Sequence, residues 1–320
     1  MSTSSTDGQE EDTSAPSAPP SYLKRARSLL HTLGKRPTKS LGQHFLVDTG
    51  VLGKIVGAAD LTSRDVVIEV GPGLGILTEE LARRAGKVIA VELDIALVTF
   101  LREALASYNN VTVYQADILK TDPSDLLVEQ GELSTRQGDG GGHGYLPYKV
   151  VANLPYNIAS AVLRRFLEAR DKPQIMIVMV QREVARRITA RPGDMSPLSV
   201  GVQLYGHPSI VHTVSPRSFF PVPKVHSAVI RIDVYAKPAV DIPAIDFFRV
   251  VRAGFSQPRK QLRNSLAAGL GLGHADSVSL LSQAGIDPQR RAETLSLPEW
   301  GAVATAASGV LPGEKKPLSE

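Results

Sequence analysis

Cysteine is absent from the 320 residues, which excludes a disulfide framework and any zinc site built on thiolates. Long apolar runs are absent too. The longest candidate, residues 175–180, is strand-sized and far short of the ~18 residues a membrane span requires, so no membrane partner is expected. The N-terminus carries Asp7, Glu10, Glu11 and Asp12 and no apolar stretch, which fits neither a secretory leader nor an acid-poor transit peptide. A cytoplasmic location is the expectation.

What is present suits a globular chain. An apolar fraction of 42% supports a sizeable core, and the length suits one large domain with a smaller one. The net charge of +4 and a pI near 9.2 lean mildly toward a polyanionic partner. Its distribution says more than its total. Lys24, Arg25, Arg27, Lys35, Arg36 and Lys39 cluster before the first globular segment, and Arg249, Arg252, Arg259, Lys260 and Arg263 fall in residues 247–265, where no acidic residue occurs. One such run is often a solvated helix face. Two of them beside the site described below point to nucleic acid, with Arg259, Lys260 and Arg263 as the contact candidates.

Residues 1–36 read as a disordered, basic extension, the first twenty or so being Ser-, Thr-, Pro- and acid-rich. Residues 37–236 alternate β-branched runs with helical stretches. Strands are expected at 65–70, 87–92, 111–115, 148–152 and 174–180, with helices at 77–84, 95–107 and 159–169 between them. Strands apolar on both faces and separated by helices specify an α/β fold, a Rossmann-like parallel sheet covered on both sides. Segments 209–214 and 227–234 read as a closing β pair. From 237 to 303 the β signal disappears and a small all-helical C-terminal domain follows, with a flexible tail at 304–320. The glycine-rich stretch 137–144 reads as a loop inserted between a helix and a strand.

Glu69-Val70-Gly71-Pro72-Gly73-Leu74-Gly75 falls where the first strand turns into its helix. Gly71 and Gly73 let the backbone approach a ligand closely, and the following helix start favours a polar or anionic group. Glu92 ends the second strand, 21 residues after Gly71, where a carboxylate accepts from both hydroxyls of a ribose. Asp117 ends the third strand, placed to accept from an adenine amine. Glycines alone suit a plain structural turn. Two acids at successive strand ends point to an adenosine-containing cofactor, and both NAD and S-adenosylmethionine satisfy them. The spacing G-x-G-x-G, in place of G-x-G-x-x-G, weakens the dinucleotide reading.

Asn153-Leu154-Pro155-Tyr156 follows the fourth strand directly. An adenine amine is a poor nucleophile because its lone pair is delocalised into the ring. The Asn153 side-chain carbonyl and the Leu154 backbone carbonyl can hold its two hydrogens and localise the pair on nitrogen. Pro155 stiffens the turn, and Tyr156 offers a face for the base to stack on. This chemistry requires no metal. An isolated Asn-Pro turn is common, and the matching cofactor site just before it is what gives this one its meaning.

These segments resemble a known family, the ribosomal RNA adenine dimethyltransferases of the KsgA/RsmA type, which share a fold with the erythromycin-resistance methyltransferases and mitochondrial transcription factor B. The resemblance runs from Lys39 to about Trp300. It rests on KSLGQHFL at 39–46, the glycine turn, Glu92, Asp117, the Asn153–Tyr156 motif, QREVA at 181–185, FFPVPKVHS at 219–227 and FSQPRKQL at 255–262. It implies that His44, Leu46, Gly71, Glu92, Asp117 and Asn153 contact S-adenosylmethionine, and that Phe220 stacks on the target adenine opposite Tyr156. Position 44 is often Asn in the family, so His44 is a mild departure.

The function so implied is transfer of methyl groups to two adjacent adenines near the 3′ end of small-subunit (16S) ribosomal RNA during subunit assembly, by a monomer whose partners are that RNA and the assembling particle. The alternatives are a large-subunit methyltransferase of the erythromycin-resistance type and a mainly non-catalytic RNA- or DNA-binding assembly factor. The helical C-terminal domain and FSQPRKQL favour the first reading. Intact Asn153 and Glu92 argue against the last, and nothing resembles the hydride-transfer site of an NAD-dependent dehydrogenase.

Overall fold

A computed structural model describes residues 22–32, 34, 43–129 and 147–309. The first part of the extension, Lys35, Arg36, the start of the 39–46 motif, the glycine-rich stretch 137–144 and the tail from 310 lie outside them.

Nine strands occur among the described residues: β1 (Phe45–Leu46), β2 (Val66–Val70), β3 (Lys87–Glu92), β4 (Val111–Gln115), β5 (Tyr148–Asn153), β6 (Ile175–Gln181), β7 (Gly206–Val214), β8 (Phe219–Phe220) and β9 (Ser227–Val234). Seven form one sheet in the order β4-β3-β2-β5-β6-β9-β7. The first five are mutually parallel, and β9 runs antiparallel between β6 and β7. β2 is all buried, as a central strand covered by helices on both faces must be. Its successive side chains feed two apolar layers. Val67, with Val88 and Val151, packs on Leu52, Ile55 and Leu81. Ile68, with Ile89 and Val150, packs on Leu163 and Phe166.

The chain order reverses between β2 and β5: β3 and β4 are added on one side, β5 and β6 on the other. At that switch the turns after β2 and β5 leave in opposite directions and open a crevice at the carboxyl ends of the strands. β7 extends three residues earlier than its sequence pattern suggests, to Gly206, and accommodates Pro208 because it is an edge strand with a free side.

Larger departures from expectation lie elsewhere. Within the supposed extension, Tyr22–Thr32 is an α-helix, because Ala26 and Leu30, one helical turn apart, find apolar partners on the sheet domain and are buried. β1 and β8 form a separate antiparallel pair, Phe45 opposite Phe220 and Leu46 opposite Phe219, too short to show a period in sequence. The last helix, Leu297–Ser308, runs past the expected end at 303. A reciprocal capping box of Ser296 and Glu299 starts it, and Ala304 and Ala307 are buried along it.

The C-terminal helices Ala244–Gly254, Leu262–Leu270, His274–Gln283 and Leu297–Ser308 share one continuous apolar cluster with the sheet, running from Val178 and Ile230 to Phe247 and Trp300. They pack very closely. A Cβ on Gly254 would lie 2.3 Å from the Trp300 ring, and one on Gly269 2.5 Å from the Ala253 Cα.

Candidate active site

The crevice at the switch point holds most of the residues singled out in sequence. His44, Leu46, Gly71, Gly73, Glu92, Asp117, Asn153, Leu154, Pro155 and Tyr156 all line one cleft. They come from the ends of β1 to β5, which explains how positions spread over more than a hundred residues converge.

The glycine turn is built from left-handed backbone: Gly71, Gly73 and Gly75 have φ of 67°, 58° and 76°. A Cβ on Gly73 would also sit 3.0 Å from the Phe45 ring. The turn is tied down from two sides. Gly71 N–H donates to the Val91 carbonyl (2.9 Å), and Gly73 N–H donates to Glu92 Oε2 (3.3 Å).

Glu92 is buried, and its other oxygen accepts from the N–H groups of Leu93 (2.9 Å) and Asp94 (3.0 Å). Burial pushes its carboxyl above the ordinary range, against these three backbone donors. Glu92 therefore organises the turn as well as presenting a carboxylate beside it, a role its place at a strand end does not reveal. Asp117 lies two residues beyond the end of β4, with Oδ1 accepting from Leu119 N–H (3.0 Å) and Lys120 near Oδ2 (3.8 Å).

Asn153 ends β5. Its side-chain amide nitrogen donates to the His44 carbonyl (3.0 Å), which fixes the amide plane and leaves the amide oxygen to accept from elsewhere. Leu154 N–H donates to the Met179 carbonyl (3.2 Å), and Leu154 is buried. The Tyr156 ring stacks on His44, with centroids 5.5 Å apart and planes at 29°. Its hydroxyl shares a hydrogen bond of 2.7 Å with Ser227. His44 Nδ1–H donates in turn to the Pro221 carbonyl (2.8 Å). That bond and the β1–β8 pair hold the 219–227 loop against the motif, so Phe220 sits beside the cleft without lining it. Ser218 reinforces the loop by donating to Asp48 (2.8 Å), which also caps helix Thr49–Ala58 and is held below the usual carboxylate range by that bond.

Arg259, Lys260 and Arg263 are elsewhere, in the C-terminal unit: the first two between the helices Ala244–Gly254 and Leu262–Leu270, Arg263 in the first turn of the second. Arg259 and Lys260 are exposed; Arg263 is half-buried, and its Nε is enclosed with no hydrogen-bond partner. The first two are the better placed for a polyanion.

Glu69 was missed in sequence although its signal was there: a lone carboxylate inside an otherwise apolar, fully buried strand. It lines the cleft, is 1% exposed, and has Oε2 without a hydrogen-bond partner. Burial, opposed by the neighbouring Thr78 hydroxyl and reinforced by Glu92, pushes its carboxyl up to about 8. The unfolded chain ionises this group near the ordinary glutamate value of 4.5, so between there and pH 8 the folded state holds the extra proton. Stability of the ligand-free protein should fall across that window by up to ~1.4 kcal/mol per pH unit, and level off above it. Glu69→Gln should remove this slope. Thermal unfolding of both proteins at several pH values checks it; a stability difference constant with pH would show that Glu69 is not the source.

Comparisons with known proteins give the family and the fold. The family model described as ribosomal RNA adenine dimethylase matches residues 34–307. Ribosomal RNA small subunit methyltransferase A of Dehalococcoides mccartyi is 49% identical over 282 residues, covering 88% of this chain and 92% of that one. The protein of the same name from Bacillus cereus is 42% identical over 288 residues, covering 88% and 95%. Among solved structures, the 23S rRNA methyltransferase ErmE is 28% identical with a TM-score of 0.62, covering 82% of this chain and 99% of that one. A dimethyladenosine transferase from Plasmodium falciparum, 23% identical with a TM-score of 0.69 over 83% and 98% of the two chains, shares the fold. With its motifs gathered at one cleft and a family model spanning nearly all of its described residues, the chain belongs to the ribosomal RNA adenine dimethylase family.

Proposed function

We propose that the chain transfers methyl groups from S-adenosylmethionine to the exocyclic amines of two adjacent adenines near the 3′ end of small-subunit ribosomal RNA, giving N6,N6-dimethyladenosine during subunit assembly in the cytoplasm. The observation that carries this reading is Asn153. Its amide nitrogen is engaged by the His44 carbonyl, so its oxygen is presented as an acceptor next to Tyr156 in the cleft bounded by the glycine turn and Glu92.

The residues present fit the cofactor. The cradle at Gly71 and Gly73 has no room to spare for a side chain at Gly73, Glu92 supplies a carboxylate for ribose hydroxyls, and Glu69 offers a buried, unpartnered oxygen to a cationic ligand. Asp117 is in place for the adenine amine. The cofactor supplies an electrophilic methyl on a sulfonium leaving group.

The protein's own contribution is to prepare the nucleophile. The Asn153 oxygen and the Leu154 carbonyl each accept one amine hydrogen, which draws the nitrogen from its planar, conjugated form toward the tetrahedral one. These acceptors are held before reaction by β5 and the His44 tie, so no reorganisation is needed as charge develops. Tyr156 and Phe220 supply the aromatic faces that hold an extruded base.

The small-subunit assignment is supported by relatives at 42–49% identity that carry that name, against 28% for ErmE. Small subunits prepared from a strain lacking the enzyme should accept label from methyl-labelled S-adenosylmethionine, whereas large subunits should not. Preferential labelling of large-subunit RNA would favour the erythromycin-resistance type instead.

A further inference from the structure

The described part of the basic N-terminal cluster is the helix Tyr22–Thr32, and it docks on the rim of the cleft. Ala26 and Leu30 are buried against Phe45, Leu74 and Leu97, three residues of the cleft wall, with Phe220 packed on the same cluster. Arg25 anchors the helix by donating to Glu79. One turn of the helix thus fixes the azimuth of the remaining side chains, and it sends Arg27 to a particular place. The Arg27 guanidinium lies over the Phe220 ring, 5.4 Å from its centroid. Among the described residues it has no hydrogen-bond or ion-pair partner, and Arg27 is exposed.

We propose that Arg27 is a substrate-positioning residue: it backs one face of Phe220 and binds a phosphate of the nucleotide whose adenine stacks on the other. This rests on the reading of Phe220 given above. An arginine suits both tasks at once. Its planar, weakly hydrated guanidinium is attracted to the negative face of a ring, while its N–H donors stay available for the oxygens of a phosphodiester. Tyr156 is arranged in the same way, with His44 stacked on one side, so each aromatic residue of the clamp has one face backed by a side chain from the N-terminal segment. The N-terminal helix becomes part of the RNA-binding side of the site, joined to it through Phe45, which pairs with Phe220 in β1–β8.

Arg27→Gln and Arg27→Lys test this on the full chain by RNA affinity at several salt concentrations and by single-turnover methylation. Arg27→Gln should raise the RNA Kd about tenfold, the loss of one charge-assisted bond, and reduce the salt slope by roughly 0.7–0.9 log units. Cofactor affinity and thermal stability should stay near wild type. Arg27→Lys should keep the salt slope and recover only part of the affinity, since an ammonium neither stacks nor forks. Unchanged affinity and slope in Arg27→Gln would overturn the proposal, and so would tighter binding or a faster rate, which would make Arg27 an obstruction on the ring. Asn153→Ala in the same assay separates the two levels. If Asn153→Ala is slow and Arg27→Gln is unaffected, only the role of Arg27 fails; if Asn153→Ala turns over normally, the site reading itself fails.

Discussion

Asn153→Ala is expected to lower the single-turnover rate of methylation by ~10²-fold or more, the scale seen when one preorganised polar contact to a developing charge is removed. The loss should fall on turnover more than on RNA binding, because the bond from the amine to the Asn153 oxygen strengthens as the nitrogen becomes tetrahedral. The structure adds a reason why no neighbour substitutes for it. Asn153 is oriented by the His44 carbonyl, and His44 is itself held by Pro221 and stacked on Tyr156, so the amide is the end point of a chain of contacts reaching to the 219–227 loop.

Tyr156 should behave differently. Tyr156→Ala removes a stacking surface worth ~1–3 kcal/mol per base. Tyr156→Phe loses the bond to Ser227 but keeps the ring on His44, and should retain most activity. A dead Tyr156→Phe would assign the hydroxyl a chemical role.

Glu92→Ala should weaken S-adenosylmethionine binding by about 1.5–3 kcal/mol, roughly 10- to 150-fold in Kd, through loss of charged hydrogen bonds to the ribose. Glu92 also satisfies the N–H groups of Gly73, Leu93 and Asp94, so its removal should loosen the glycine turn as well. Glu92→Gln keeps one carbonyl oxygen and should restore the turn, read as thermal stability, more fully than the affinity. Calorimetry distinguishes these. Wild-type affinity in Glu92→Ala, or binding of NAD in place of S-adenosylmethionine, would contradict the assignment.

Much of this site was legible because its parts lie at strand ends with their own patterns. The strands at 87–92, 111–115 and 227–234 are bounded in sequence as they are in the structure, since β-branched runs between turn residues have sharp edges. Glu92, Asp117 and Asn153 follow from that frame. What was illegible depended on contacts between distant segments. The helix Tyr22–Thr32 is hidden by Lys24, Arg25 and Arg27 and by the polar stretch before it, and the partners of Ala26 and Leu30 reveal what it folds against. The β1–β8 pair is two residues long and made by Phe45 meeting Phe220 across the chain. Arg263 reads like Arg259 and Lys260 in a basic run, yet the packing of the C-terminal helices encloses part of its side chain.

The central claim is that this cleft methylates an adenine amine held by Asn153. The most direct measurement is nucleoside analysis by mass spectrometry of small-subunit RNA from a strain lacking the enzyme, after reaction with the purified chain and S-adenosylmethionine. The wild-type chain should yield N6,N6-dimethyladenosine at two adjacent positions near the 3′ end, and Asn153→Ala little or none over the same time. Methyl groups on another base, or equal dimethyladenosine from Asn153→Ala, would contradict it.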